Sequence, residues 1–174
     1  MNSNPALARW LVALRALVPF GALVAAVALT GMPYGIPFFG PITPFFALIG
    51  VFYWSVHRPE SIPAIVIFAI GVLQDLITGG PPGSVALLLL LVHAIAVSQQ
   101  RILLGQSYLV EWAGFALIAV GAALVSWLLA CIYNTALIVP WHFLVQALLT
   151  VALYPAAAAM LTPAAKWSRA PEPI

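Results

Sequence analysis

Long runs of apolar residues, broken only by short clusters rich in glycine and proline, constrain this chain more than any other feature. The runs cover roughly residues 10–30, 42–57, 61–78, 84–100, 108–133 and 141–162. An α-helix needs about 20 apolar residues to cross a bilayer. Because backbone polar groups in lipid must be satisfied internally, each run is expected to form a membrane-spanning helix. The second run is the shortest, and an alternative is that it lies partly at the membrane interface.

The overall composition supports lipid as the main solvent. The 174 residues are 64% hydrophobic and 6% charged, whereas soluble domains are usually about 45–50% apolar and roughly 25% charged. Alternation of period two, which a transmembrane β-barrel requires, is absent. Six basic residues are too few for a nucleic-acid surface. The prediction is an all-α integral membrane protein, a compact bundle of six transmembrane helices forming a single membrane domain over residues 1–174.

The basic residues predict the orientation of the bundle. They are Arg9, Arg15, Arg58, Arg101, Lys166 and Arg169. In a six-helix arrangement all of them fall on one side of the membrane, and the loops between runs 1–2, 3–4 and 5–6 contain no Lys or Arg. Positive charges mark the cytoplasmic side. Both termini are therefore expected in the cytoplasm.

The stretch GVLQDLITGGPPG, from Gly71 to Gly83, places one of only four acidic residues inside an apolar run. Polar and small side chains recur there at i, i+3, i+4 and i+7, a spacing that puts them on one helical face: Gly71, Gln74, Asp75 and Thr78. This face is expected to contact protein. The opposite face is apolar and is expected to contact lipid: Ile70, Leu73, Leu76 and Ile77.

The end of this stretch predicts a tight external turn. Gly79, Gly80 and Gly83 permit backbone angles that other residues avoid, and Pro81 and Pro82 stop the helix. A carboxylate beside such a turn can accept hydrogen bonds from its free amide groups. The first interpretation of Asp75 is therefore that it organises the turn. The alternatives are docking of another membrane protein and, less favoured because few titratable groups exist, a proton or ion relay.

The other polar residues of the runs receive structural interpretations. His93 is predicted to be a neutral imidazole that bonds a neighbouring helix. Asn134 and His142 match Asp75 in depth and are candidates to pair with it. Glu111 lies at the start of the fifth run, where its negative charge is expected to interact favourably with the positive end of the helix dipole. It is also expected to pair with Arg101.

No motif for catalysis, cofactor binding or metal binding is present in the sequence. There is no HExxH, GxSxG, P-loop or CxxC sequence. His57 and Glu60 are too isolated to suggest a zinc site. We therefore predict a protein that is not an enzyme and has no cofactor.

An ordered set of motifs resembles the rod shape-determining protein MreD family. The second run ends in YWSVHRPE, from Tyr53 to Glu60. The stretch GVLQDLITGGPPGSVAL resembles the family's G-x-x-x-D-x-x-x-G-x-P-x-G signature, with matching positions at Gly71, Asp75, Gly79, Pro81 and Gly83. Gln100 and Arg101 then follow the fourth run.

The resemblance implies a function that composition does not. MreD-like proteins belong to the bacterial inner-membrane machinery for lateral cell-wall growth. They are expected to act with MreC, with a peptidoglycan glycosyltransferase and transpeptidase, and indirectly with the MreB system. The implied role is a scaffold without enzymatic activity, in which the Asp75 turn would shape the external end of the bundle.

One alternative belongs to a different class of protein. Substrate-capturing subunits of vitamin-type importers are also compact six-helix membrane proteins, and they line a pocket with groups from their outer loops. Here those loops supply a small set of polar and aromatic residues: Tyr34, Asn134, Trp141 and His142. A membrane enzyme ranks third, because no active site is visible.

Overall fold

The computed structural model describes the backbone of residues 5–31, 43–104 and 107–168 and most side chains from residue 17 to residue 165. These residues form six α-helices and one 3-10 turn, Pro59–Ser61, and contain no β-strand. The helices are α1 Pro5–Thr30, α2 Phe46–His57, α3 Ala64–Thr78, α4 Ser84–Leu104, α5 Tyr108–Asn134 and α6 Trp141–Ser168. The all-helical prediction is thereby confirmed. The side chains of Arg9, Arg15, Tyr34, Lys166 and Arg169 lie outside the described residues.

Helix α2 forms the core of the bundle. Its residues from Ala47 to Val56 are all buried, and its Phe52 ring contacts Phe115 of α5 and Tyr154 of α6 at centroid distances of 5.1 and 5.7 Å. Twelve residues rise only about 18 Å, less than the roughly 30 Å of a hydrocarbon core. A helix that is apolar all round lies either in a protein core or in the membrane, and the buried side chains of α2 place it in the core of this bundle. Helix α2 is therefore covered by the other helices of the bundle.

The helices alternate in direction, so that two sets of helix ends lie at opposite ends of the bundle. The Gln146 amide donates to the Thr43 carbonyl at 2.9 Å, which places the start of α6 beside the start of α2. The Gln100 amide donates to the Val56 carbonyl at 2.9 Å, which places the end of α4 beside the end of α2. We call the end that contains residues 79–83 the turn end, and the end that contains Arg58 the arginine end.

Within the described residues, three helical segments are long and apolar enough to cross a membrane: Ser84–Leu103, Tyr108–Asn134 and Trp141–Pro163. Three shorter apolar segments are Leu17–Thr30, the part of α1 whose side chains are described, Phe46–His57 and Ala64–Thr78. Large apolar side chains also face outward, and Leu117 and Ile132 of α5 are 76% and 71% exposed. Outward apolar side chains suit a lipid environment, where exposed hydrocarbon costs little.

Helix α3 presents the predicted two faces with one exception. Gly71, Gln74 and Asp75 are buried, and Leu76 is 75% exposed. Ile70, expected to face lipid, is only 2% exposed, so that assignment is wrong. Residues 67, 70, 71 and 74 follow the i, i+3, i+4, i+7 spacing of a single helical stripe. Ile70 therefore lies on the buried stripe together with the polar residues.

Candidate functional site

The Asp75 carboxylate caps helix α4 from its position on α3. Its Oδ2 accepts a hydrogen bond from the Gly83 N–H at 2.8 Å and a longer one from the Ala86 N–H at 3.5 Å. Its Oδ1 accepts from the Val85 N–H at 3.0 Å and from the Ser84 hydroxyl at 3.1 Å. The first amide groups of a helix have no partner within the helix, and a carboxylate there also complements the helix dipole. Asp75, which is 3% exposed, thus joins two helices and the turn between them.

Two glycines shape the turn that brings α4 back to this carboxylate. Gly79 ends α3 with φ 67°, and its N–H donates to the Asp75 backbone carbonyl at 3.0 Å. Gly83 has φ 87° and directly precedes α4. The left-handed region is open to glycine but costs other residues about 1–2 kcal/mol. Gly79 and Gly83 therefore stand where the backbone requires glycine, whereas Gly80 does not adopt a positive φ.

Gly71 lies at a close approach of α3 to α4. A Cβ atom at this position would stand 2.3 Å from the Ala86 Cα and 2.7 Å from its backbone nitrogen. Small residues permit such close approach of helices in membranes. The absence of a side chain at Gly71 therefore sets the distance at which the Asp75 carboxylate meets the start of α4.

Gln74 and Thr78 complete the polar face of α3 in different ways. Thr78, which is exposed, donates its hydroxyl to the Gln74 backbone carbonyl at 2.9 Å. Gln74 is 3% exposed, and its Oε1 has no hydrogen-bond partner within the described residues. Leaving a buried acceptor unpaired costs about 1–3 kcal/mol. Gln74 therefore lies in the protein interior with an acceptor that the fold does not satisfy.

The structure separates Asp75 from its predicted polar partners. The Asn134 amide donates to the Ala130 carbonyl of its own helix at 2.8 Å, and His142 is exposed. The described donors to the Asp75 carboxylate come from residues 83–86. His93 bonds the Ser55 hydroxyl of α2 through its Nδ1 at 2.7 Å, which confirms the predicted bond to a neighbouring helix.

A second polar cluster lies at the arginine end and was not predicted. The Tyr154 hydroxyl of α6 donates to the Glu111 carboxylate of α5 at 2.5 Å, and the His57 Nδ1 lies 3.9 Å from the same oxygen. The described residues contain no ion pair between Glu111 and Arg101, so that predicted pairing is wrong. Arg101 lies on the exposed side of α4, whereas Glu111 points toward α2 and α6. Glu111 and Tyr154 are far apart in sequence, and no local pattern relates them.

We expect Tyr154→Phe to lower the free energy of unfolding by about 1–3 kcal/mol, because Glu111 loses a hydroxyl donor in a mostly buried site. The ring itself should keep its stacking on Phe115, at 4.2 Å between centroids. The measurement is reversible unfolding of the purified protein in mixed micelles. Tyr133→Phe is the matched control, because Tyr133 is 64% exposed and its change should be near zero. Equal stability of the two variants would contradict the inferred role of the bond.

The fold and its polar contacts define a class of protein. Long apolar helices surround the buried short helix α2. The Asp75 carboxylate joins α3 to the start of α4 through hydrogen bonds. The described residues contain no group of three or more His, Cys, Asp or Glu that could hold a metal ion. The molecule is an all-helical integral membrane protein whose polar interior groups hold helices together.

Comparison with known proteins gives the family. The family model described as rod shape-determining protein MreD matches residues 9–162. This match covers most of the chain, so the chain belongs to the MreD family of membrane proteins that determine rod shape. The family is a structural part of the shape-determining system and is not known as an enzyme. No curated protein and no solved structure matches the chain.

Proposed function

We propose that this protein is a non-enzymatic scaffold subunit of the machinery for lateral peptidoglycan synthesis in the bacterial inner membrane. It acts with MreC, with a peptidoglycan glycosyltransferase and transpeptidase, and indirectly with the MreB system. The observation that carries the proposal is the family match over residues 9–162. Its mechanism is recognition of partner helices in the bilayer together with presentation of a fixed external surface.

The proposed topology has six membrane spans with both termini in the cytoplasm. Two features support it: the alternating helix directions, and the position of Arg58 and Arg101 near helix ends that lie together, as the Gln100 contact with Val56 indicates. Positive residues mark the cytoplasmic side. The turn end is then external.

The topology predicts opposite labelling of cysteines placed at the two ends. In a Cys131→Ser background, Gly80→Cys should react with a membrane-impermeant maleimide in intact spheroplasts. Glu60→Cys should react only after permeabilisation. Both positions are exposed, so accessibility in the folded protein is matched. Labelling of both cysteines in intact cells would contradict the proposed sidedness.

The external turn is proposed as the surface on which an external domain of MreC or of the transpeptidase rests. The Asp75 cap and the glycine angles hold this turn in one conformation, which makes it suitable for specific docking. Its tip is solvent-exposed at Gly80 and Pro82. A Cβ at Gly80 would meet only the Thr78 hydroxyl, at 4.0 Å, so a side chain can be added there without disturbing the fold.

Affinity purification tests the scaffold and the docking surface together. We expect the tagged protein, extracted in mild detergent, to retain an MreC-like protein and wall-synthesis enzymes by mass spectrometry. Gly80→Glu should reduce that retention by about tenfold, the effect of roughly 1.4 kcal/mol. Leu137→Glu is the control, because Leu137 is 90% exposed in the α5–α6 connection at the same end. Equal retention of partner proteins by both variants would show that the docking surface is not the turn.

The same purification distinguishes the alternative function. Recovery of an ATPase with a coupling membrane subunit, in place of wall-synthesis proteins, would replace the scaffold proposal with a vitamin-type importer. A cavity of about 270 Å³ at the turn end gives that alternative some structural basis. It is smaller than the roughly 300–1,000 Å³ of pockets that hold drug-sized ligands, which favours the scaffold.

A further inference from the structure

A cavity of about 270 Å³ lies at the turn end of the bundle, and its wall is mainly apolar. Large apolar side chains reach it from four parts of the chain: Phe45, Val85, Leu129 and Phe143. The described lining residues include no Asp, Glu, Lys, Arg or His, and burial of an ion without a partner is very costly. One water molecule needs only roughly 10–15 Å³ of such space. The cavity therefore suits an uncharged, largely apolar group.

Gln74 presents a hydrogen-bond donor to this cavity. Its side chain is 3% exposed and forms part of the wall. Of its two amide atoms, Oε1 is enclosed by protein, whereas Nε2 retains accessible surface and has no hydrogen-bond partner within the described residues. A donor in an interior position without an acceptor is destabilising. An occupant that completes this site therefore supplies an acceptor oxygen.

Most other donors of the wall are already engaged within the protein. The Thr30 and Thr78 hydroxyls each donate to a carbonyl of their own helix at 2.9 Å. The Ser84 hydroxyl donates to the Asp75 carboxylate at 3.1 Å, and the Gln146 amide donates to a backbone carbonyl at 2.9 Å. The wall therefore matches an apolar molecule that carries few acceptor oxygens.

A seam between α5 and α6 continues from the cavity to the outer surface of the bundle. Ser126 and Phe143 line both the cavity and a smaller hollow between these two helices. Ala123 and Ala147 line that hollow and an entirely apolar groove beyond it. Leu124, which is 54% exposed, lies in the wall of the groove. An alkyl chain can therefore follow the seam from the cavity into the surrounding lipid.

The cavity lies at the depth of the ester groups of a glycerolipid. Its wall includes Thr30 and Thr78, the last residues of α1 and α3, and Ser84, the first residue of α4. Ser126 lies about 12 Å along α5 from its end at Asn134. The ends of apolar spans approach the border between the hydrocarbon core and the polar head groups. Acyl ester carbonyls lie at that border.

We infer that the cavity binds an acyl ester of a membrane glycerolipid. The ester carbonyl accepts a hydrogen bond from the Gln74 Nε2, and the acyl chain lies in the seam between α5 and α6. A soluble carbonyl compound without an alkyl chain would leave the seam empty. The inference rests on the cavity, the seam and Gln74, so it does not depend on the scaffold role.

The test compares two lipids that differ only in the ester carbonyls. A diacyl phosphatidylglycerol and the dialkyl ether lipid with the same head group and chain length are titrated into the purified full-length protein in detergent. The rise of the thermal unfolding midpoint with lipid concentration gives the apparent affinity. We expect the wild type to bind the ester lipid about fivefold more tightly, because the ether lipid has no carbonyl to accept the hydrogen bond.

Gln74→Leu should abolish this preference and bind both lipids as the wild type binds the ether lipid. Gln99→Leu is the matched control, because Gln99 is exposed on α4 and the variant repeats the chemical change outside the cavity. It should keep the preference for the ester lipid. Equal affinity of the wild type for the two lipids, or a preference that survives in Gln74→Leu, would overturn the inference.

A second pair of variants tests the seam and leaves Gln74 unchanged. Ala123→Phe should fill the seam and weaken the binding of both lipids by about tenfold, the effect of roughly 1.4 kcal/mol. Ala113→Phe adds the same ring at an exposed position of α5 and should leave both affinities unchanged. Lipid affinities in Ala123→Phe equal to those of the control would overturn the placement of the acyl chain.

Discussion

Replacement of Asp75 by alanine is expected to lower the free energy of unfolding by about 2–5 kcal/mol, the combined effect of losing a helix cap and exposing buried donors without partners. The carboxylate accepts hydrogen bonds from Gly83, Ser84, Val85 and Ala86. At 3% exposure, water cannot replace it. Unfolding in mixed micelles, followed by tryptophan fluorescence, measures the loss.

Two further variants separate the cap from a general effect of charge. Asp75→Asn keeps one carbonyl acceptor but loses the charge that complements the helix dipole, so its loss should lie between the wild type and Asp75→Ala. Glu60→Ala removes an exposed acidic residue at the arginine end and should change stability by less than about 0.5 kcal/mol. An Asp75→Ala variant as stable as the wild type would refute the capping role. One that also kept every partner and supported normal rod growth would remove Asp75 from the proposed function.

Gly71→Val is expected to prevent correct assembly of α3 against α4, with a loss of about 3 kcal/mol or more. The first added carbon would already stand 2.3 Å from the Ala86 Cα. Neighbouring side chains can rotate away from an intruding atom, but a helix backbone cannot. The expected observation is a large fall in the yield of monodisperse protein on size-exclusion chromatography.

The control for this prediction is Gly121→Ala on α5. A Cβ at Gly121 would meet nothing within 4 Å, so the change should be neutral or stabilise the helix by up to about 1 kcal/mol. A double variant, Gly71→Ala with Ala86→Gly, identifies the source of the clash. Because the contact is with backbone atoms, removing the Ala86 side chain should not restore stability. Full recovery in the double variant would show that side-chain volume alone sets the helix distance.

These two positions connect stability to the proposed function. Gly71 sets how closely α3 and α4 pack, and at that distance the Asp75 carboxylate accepts the hydrogen bonds that fix the turn between them. A loss of rod shape in either variant would follow from a misfolded bundle as readily as from lost docking. Gly80→Glu removes this ambiguity, because it changes only the exposed tip of the same turn.

Local features of the sequence were sufficient for much of the fold. The apolar runs predicted helices because a membrane leaves the backbone few other ways to satisfy its polar groups. The spacing of Gly71, Gln74 and Asp75 predicted a buried polar face, since 3.6 residues per turn align these positions. Asp75 lies in one short stretch with Gly83, which donates to its carboxylate, and with Gly79, which donates to its backbone carbonyl. Their hydrogen bonds were therefore predictable from the chemistry of a tight turn.

The tertiary structure decided which helix lies in the centre and which distant polar groups meet. Helix α2 is mostly apolar along its length, and the sequence did not distinguish burial by neighbouring helices from contact with lipid. The bond between Glu111 and Tyr154, and the cavity at the turn end, join residues far apart in the chain. Such contacts depend on how whole helices cross and rotate against one another. Helix packing leaves no periodic pattern in a single sequence, so only the assembled bundle shows these sites.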